Sequence, residues 1–500
     1  MVASCGSEGS GSAAAAAATQ ASAVQPARVD AAALRDAVTD SAVRKFYESR
    51  SWEAAWDEAR AQGLVDALGE APRHGLEGGT LLRDIENAAS PAAREAALTI
   101  AALAYADVLA NGRVDPKAIR SIYTLDRPQV DVVSGLAGAL RSGDVKGWLA
   151  GLAPATAEYR ALGEAYLDYR RRAAGEAAAT IESGDLIREG DSDPRVPAIA
   201  AALRDNGYLG SAPAEEGATY TAQMAAAIEQ LQQDYGIASD GVVGPDTLAV
   251  LNSGAADRAR QLAVNLERRR WLERDAPPTR IDVNTAAAIL DFWSEGEHAD
   301  RRKVIVGQPG WETPQLGSPI FRLVANPTWT VPKSIEREEI APKGESYLRR
   351  NNMVRRNGWI VQLPGPDNAL GEVKFDMRND HAIYLHDTPA KHLFGRNQRH
   401  FSHGCVRVED ALGFARMIAE RGGKLDQFER AMASGEETFV DLDENIPVRL
   451  VYHTAFVGED GKVAFRTDPY GWDEDVAQRL GLGGGSGNKR VSAHVNDVGP

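Results

Sequence analysis

Residues 400–408 read HFSHGCVRV, which places Cys405 between Gly404 and Val406 with His400 and His403 just ahead of it. A cysteine so surrounded can act as a metal ligand or as a nucleophile. Five of the nine histidines fall between 381 and 403, which invites a zinc reading. The spacing argues against it. HAIYLHD, residues 381–387, reads as a strand, and strand side chains five apart face opposite ways, so His381 and His386 cannot share an ion. His400, His403 and Cys405 also lack the CxxC or HxxxH spacing of ordinary zinc sites. No metal and no cofactor is expected. As a nucleophile, a thiol of unperturbed pKa about 8.5 is only a few per cent ionised near neutrality and needs an imidazole or a helix N-terminus beside it. A histidine supplies the first, and a helix over ALGFARMIAER, residues 411–421, is expected to bring the second near the thiol. Gly404 lets the backbone approach a substrate carbonyl, and the N–H groups of Gly404 and Cys405 are candidates for an oxyanion hole. The bland alternative is a small buried hydrophobe with an inert thiol.

The chain around this motif has 500 residues, 43% of them apolar and 25% charged, so it can bury several cores and should divide into about three domains. A formal charge of −15 with no long basic run excludes nucleic acid as a partner. No stretch approaches the roughly 20 apolar residues that cross a bilayer. Cys5 and Cys405 are the two cysteines, 400 positions apart, so a disulfide between them is not expected and Cys405 should be free. Val2-Ala3-Ser4-Cys5 resembles the lipobox at which bacterial lipoproteins are cleaved and lipidated, which makes Cys5 a candidate membrane tether, although only Met1 precedes the tetrapeptide.

The elements that must position the motif follow from periodicity. Residues 1–30 are small and polar and read as a flexible tether. Residues 31–190 carry apolar residues at three- and four-residue steps and read as a helical scaffold, with Phe46, Trp52 and Trp56 expected in its core. Residues 191–254 hold two amphipathic helices and a third opened by Gly244-Pro245. An arginine-rich linking helix is expected over 255–278. From 279 to 456 period-two runs such as RKVIVGQ and GEVKFDM predict a mostly β domain, interrupted at about 334–370 by an inserted helical cap with little strand signal. A C-terminal extension over 457–480 and a disordered tail over 481–500 complete a multidomain α+β chain.

Two resemblances give these segments meaning. The QxxYGIxxDGxxGPxT pattern of residues 232–247 is similar to that of the helical peptidoglycan-binding module appended to cell-wall enzymes, with a ligand-free spacer as the alternative. His386, 19 positions before Cys405, followed by Ser402-His403-Gly404-Cys405-Val406-Arg407, resembles the signature of the L,D-transpeptidases, in particular their large periplasmic members. The resemblance implies Cys405 as nucleophile and His386 as its base, the Asp387 backbone carbonyl orienting the imidazole, Gly404 and His403 around the oxyanion, and Arg407, Ser402 and Tyr384 toward the substrate. For Tyr384 a core position is an equal alternative. The implied activity is 3→3 crosslinking of peptidoglycan tetrapeptide stems, donor and acceptor, through a thioester, in the periplasm and in support of cell shape, with carbapenems as inhibitors. L,D-carboxypeptidase action, hydrolysis of a crosslink or lipoprotein linkage, and a non-catalytic wall-binding scaffold stand as alternatives.

Overall fold

The structure, a computed structural model, describes residues 29–175, 180–210 and 217–483. Most of the tether expected over 1–30, Cys5 within it, and all but the first three residues of the tail expected over 481–500 lie outside the described residues.

The N-terminal third is helical because its helices carry strong caps and apolar faces. Asp40 caps the helix Ser41–Glu48 through the N–H groups of Ala42 and Val43, and Ser90 with Pro91 starts the 21-residue helix Pro91–Asn111. That long helix is apolar nearly all round and forms the spine. Phe46 is fully buried and Trp52 nearly so, while Trp56 is half-buried and donates its indole N–H to Thr99 Oγ1 at 2.8 Å.

The next unit packs helices Val196–Asp205, Ala222–Tyr235 and Pro245–Leu251. Its sequence pattern has a structural cause. Gln232, the first residue of the pattern, is buried, accepts from the N–H groups of Asp240 and Gly241, and donates to Val242 O and Thr247 Oγ1. One side chain thus pins the Asp240-Gly241 turn to two helices.

The helix Ala255–Arg270 corrects the expectation of a linker. Twelve of its residues are buried, among them three consecutive arginines, and it lies at the centre of the molecule. Leu262, Ala263 and Leu266 join the scaffold core, whereas Val264 packs with Trp271, Val451, Val476 and Leu480. Gln261 and Asn265 hydrogen-bond to Thr454. Arg268 pairs with Asp473, Arg269 with Glu158 at 2.7 Å and Arg270 with Glu267 at 2.6 Å. Arginine ordinarily marks a solvated face, and here every cation in the run finds a carboxylate. The C-terminal extension therefore closes this hub, through the hairpin of Ala455–Val457 and Val463–Phe465 and the helix Trp472–Leu480.

The β domain is a mixed sheet whose strands run, edge to edge, Thr438–Ile446, Ile320–Ala325, Val373–Met377, Leu385–His386, Val406–Val408, Glu297–Gly307, Ile289–Ser294, Arg280–Asn284 and Val448–Val451. Helices Ala411–Arg421 and Leu425–Ala433 cover one face of the core, with Phe414, Ile418 and Phe428 fully or almost fully buried. HAIYLHD is not the seven-residue strand its composition predicts; only Leu385 and His386 are in the sheet. Asn379 accounts for the difference. Its side chain accepts from the N–H groups of His381 and Ile383 and donates to Ile383 O, which folds 379–383 into a turn.

The cap is helical over Lys333–Arg350 and has its own small core of Trp329, Ile335, Ile340, Leu348 and Ile360. Its second half adds what the helical spacing did not suggest: strands Met353–Arg356 and Trp359–Gln362 pair as a hairpin against Trp329–Thr330. Asn357 and Gly358, both at positive φ, make the turn.

Candidate active site

Three adjacent strands bring the site together. His386 pairs with Arg407 on one side, in parallel register, and with Lys374 on the other, antiparallel. Cys405 lies two residues before Arg407 and so belongs to the same face as His386. Leu385 and Val406 point the other way into the apolar core, which fixes the register and hence the face. Tyr384 joins this cluster, its ring 5.6 Å from that of His386 and against Cys405. It also packs on both the sheet core and the cap core.

The electrostatics of the face follow from burial. His386 is fully buried, and its Nδ1 lies 2.5 Å from Asp387 O, so the ring nitrogen donates to that carbonyl. Its Nε2 has no hydrogen-bond partner among the described residues. Burial first, then the Arg407 and Lys374 charges, hold the imidazole well below its usual pKa, against the pull of the Asp387 hydrogen bond. Burial likewise pushes the Cys405 thiol up to about 11, with Tyr384, Lys374 and Arg407 offsetting part of the rise. The pair is therefore a neutral thiol beside a neutral imidazole.

Several expectations change in this light. The helix Ala411–Arg421 does not bring its N-terminus to the thiol: the extended strand Val406–Val408 intervenes, carrying the chain on by roughly 10 Å, and Asp410 caps the helix. Gly404 N–H donates to Ser402 Oγ at 3.2 Å and so is not free for an oxyanion. Ser402 itself is fully buried and donates to Cys405 O at 2.5 Å, which makes it a brace for the turn and not a substrate contact. Gly404 has φ of 115°, a conformation that excludes a side chain, and Thr313 Oγ1 holds its carbonyl at 2.8 Å. Arg407 is almost completely buried on the site face, beneath reach of bulk solvent. The histidines scatter: His400 bonds Thr285 O at 2.9 Å, His392 is exposed, and His403 contacts Glu339 of the cap. Among the described residues no group of three or more His, Cys, Asp or Glu could hold a metal.

Asp387 is held from three sides. Its N–H donates to Val373 O, its Oδ2 accepts from Glu372 N–H at 3.0 Å, and Lys391 pairs with its Oδ1. Gly371 stands so close that an added Cβ would clash with the Asp387 carboxylate, and its φ is +62°. Gly371→Ala is expected to cost about 1–3 kcal/mol of stability through the left-handed backbone alone, and to displace the residue that orients His386. A urea midpoint within error of the wild type would show that Asp387 is not clamped in this way.

Sequence reasoning did not single out Lys374, Trp311, Thr313, Glu339 or Gly371. Each is a common residue type on a strand, loop or cap turn, and only the pairing of distant strands brings it here. For Lys374 the alternation of GEVKFDM was the available signal, since it places Lys374 and Asp376 on the face opposite Val373 and Phe375.

Comparison with known proteins assigns three segments. Residues 278–428 match the family described as L,D-transpeptidase catalytic domain, residues 41–165 the Scaffold domain, and residues 192–251 the family described as "Putative peptidoglycan binding domain". A "Putative L,D-transpeptidase" of Haemophilus influenzae is 31% identical over 221 residues, covering 39% of this chain and 45% of that protein. The chain thus aligns with less than half the length of that curated relative. Among solved structures, an L,D-transpeptidase from Stackebrandtia nassauensis shares 16% identity over 54% of this chain and 97% of its own, with a TM-score of 0.25. One from Mycobacterium smegmatis shares 11% over 35% and 58%, with a TM-score of 0.22.

Proposed function

We propose, from the L,D-transpeptidase catalytic domain that residues 278–428 carry beside a peptidoglycan-binding domain, that this protein crosslinks peptidoglycan stems 3→3 through a thioester on Cys405. The observation that carries the proposal is the His386 imidazole: one nitrogen is tied to Asp387 O, and the other is buried, unclaimed, and on the face that bears Cys405. In the donor step the Cys405 sulfur attacks the carbonyl of the third stem residue as His386 takes the thiol proton, and D-alanine leaves with that proton. A side-chain amine of a second stem then attacks the thioester, the C–N bond forms, the C–S bond breaks, and the thiol is restored.

The Cys405 Sγ now lies 3.9 Å from Ala382 O and makes no hydrogen bond to His386 Nε2. A turn about its Cα–Cβ bond is the movement that would present it to the base. With Gly404 N–H occupied, the Cys405 N–H is left as the candidate oxyanion donor. Residues 192–251 would hold the enzyme on its polymeric substrate. Action outside the cytoplasm, in the periplasm, fits such a substrate. Among the described residues no helix is long and apolar enough to cross a membrane. L,D-carboxypeptidase action, or hydrolysis of a crosslink or lipoprotein linkage, would use the same site with water or another nucleophile.

The test is product analysis by mass spectrometry after incubation with disaccharide-tetrapeptide. The expected products are a 3→3 dimer and free D-alanine, with no dimer from Cys405→Ala. A carbapenem is expected to add once, at Cys405. A dimer from Cys405→Ala, or an adduct that persists in it, would overturn the assignment, and turnover to tripeptide alone would favour the carboxypeptidase.

A further inference from the structure

Among the described residues, the cap makes a charged contact with the motif that the chemistry above leaves unused. Glu339 sits in the turn Glu336–Ile340, which is wound as a π-helix, a rare form that recurs at functional sites. Ile335 and Ile340 fasten both ends of the turn into the cap core. Held this way, Glu339 Oε1 lies 2.6 Å from His403 Nε2. Trp311 packs edge-on against the same imidazole, centroids 5.0 Å apart. The His403 side chain is 5% exposed, but that of Glu339 is 27% exposed, so the carboxylate faces both the motif and solvent. The neighbouring cap carboxylates are matched by cations, Glu336 by Lys333 and Arg355, and Glu338 by Arg337. Glu339 is paired with a histidine that lies two residues from Cys405.

A thioester on Cys405 faces two competing nucleophiles, an amine and water. An aliphatic amine with a pKa near about 10.4 arrives as an ammonium ion, and water arrives neutral. A fixed carboxylate beside the motif discriminates between them by charge. We propose that Glu339, oriented by His403, whose ring Trp311 holds in place, is the specificity determinant for the acceptor: it binds the ammonium of the incoming stem. This rests on the transpeptidase reading. The docked ammonium releases one proton to solvent, the neutral nitrogen attacks the thioester carbonyl, and the proton it loses on forming the amide passes through His386 to the departing sulfur.

The experiment uses the full chain with a tetrapeptide donor and a separate diaminopimelate-containing tripeptide as acceptor, and reads the crosslinked and hydrolysed products by mass spectrometry. Glu339→Gln, which keeps the shape and loses the charge, is expected to raise the acceptor KM about tenfold and shift products toward hydrolysis, with the donor KM moved less than about twofold. Glu339→Asp is expected to recover part of the crosslinking. An unchanged product ratio and acceptor KM in Glu339→Gln would overturn the proposal, as would equal rises in both KM values, which mark simple support of the turn. If the wild type forms no crosslinked product at any acceptor concentration, the transpeptidase reading itself falls, and this proposal with it.

Discussion

His386→Ala is expected to slow acylation of Cys405 at pH 7 by about 10²–10⁴, the scale of losing a general base. The size of the effect follows from the thiol. Burial holds it up to about 11, so only about one molecule in 10⁴ carries a spontaneous thiolate at pH 7. Removal of the thiol proton by His386 at the moment of attack is then the route left to the neutral pair. The pH dependence gives the sharper test. Because the His386 pKa is lowered, its basic form persists on the acid side of 6.5, and the wild-type rate should hold level across the neutral range. Without the imidazole, the rate should climb about tenfold per pH unit toward 11 as the bare thiolate fraction grows, so the two profiles converge at high pH. Alkylation by iodoacetamide measures this directly. A level profile in His386→Ala, or a pH 7 rate equal to the wild type, would remove His386 as the base. His403→Ala should retain the level profile, since its ring contacts Glu339 and Trp311.

The second large effect lies far from the thiol. Glu267 and Arg270 are both fully buried and 2.6 Å apart in the central helix. Glu267 also accepts from Val114 N–H at 2.7 Å and Trp271 Nε1 at 3.0 Å, and Arg270 donates to His74 O at 2.7 Å and Tyr159 OH at 2.9 Å. Glu267→Ala strands the guanidinium in the interior and opens two further donors, and is expected to cost about 3–5 kcal/mol. The double variant Glu267→Ala, Arg270→Met should cost less than the sum of the single ones, because the stranded charge leaves with its partner. Urea unfolding of the four proteins measures the cycle. Additive costs would mean that the two side chains do not depend on each other.

The site was legible where chemistry is written locally. Ser402 to Arg407 and His386 stand out by residue type and spacing, whereas the pairing of Leu385–His386 with Val406–Val408 that joins them is written in neither segment. What the sequence hid was the effect of neighbours that arrive from elsewhere. The thiol's high pKa comes from burial under a fold, not from the residues beside it in the chain. The turn at 379–383 was hidden because composition favours a strand and one asparagine overrules it. The central helix was hidden for a related reason. Three arginines in a row look solvated until Asp473, Glu158 and Glu267 are placed against them, two of them from more than 100 positions away.

That helix sets a timetable for the chain's birth. Arg268 is separated from Asp473 by 205 positions, and Gln261 and Asn265 from Thr454 by 193 and 189. A ribosome adding roughly 5–20 residues per second needs about 10–40 s to cover that distance. Until that stretch is made, the Arg268 guanidinium and the Gln261 and Asn265 amides lack the partners they have in the finished fold. A product that stops short of residue 454 keeps those groups without these partners even though His386 and Cys405 are both present.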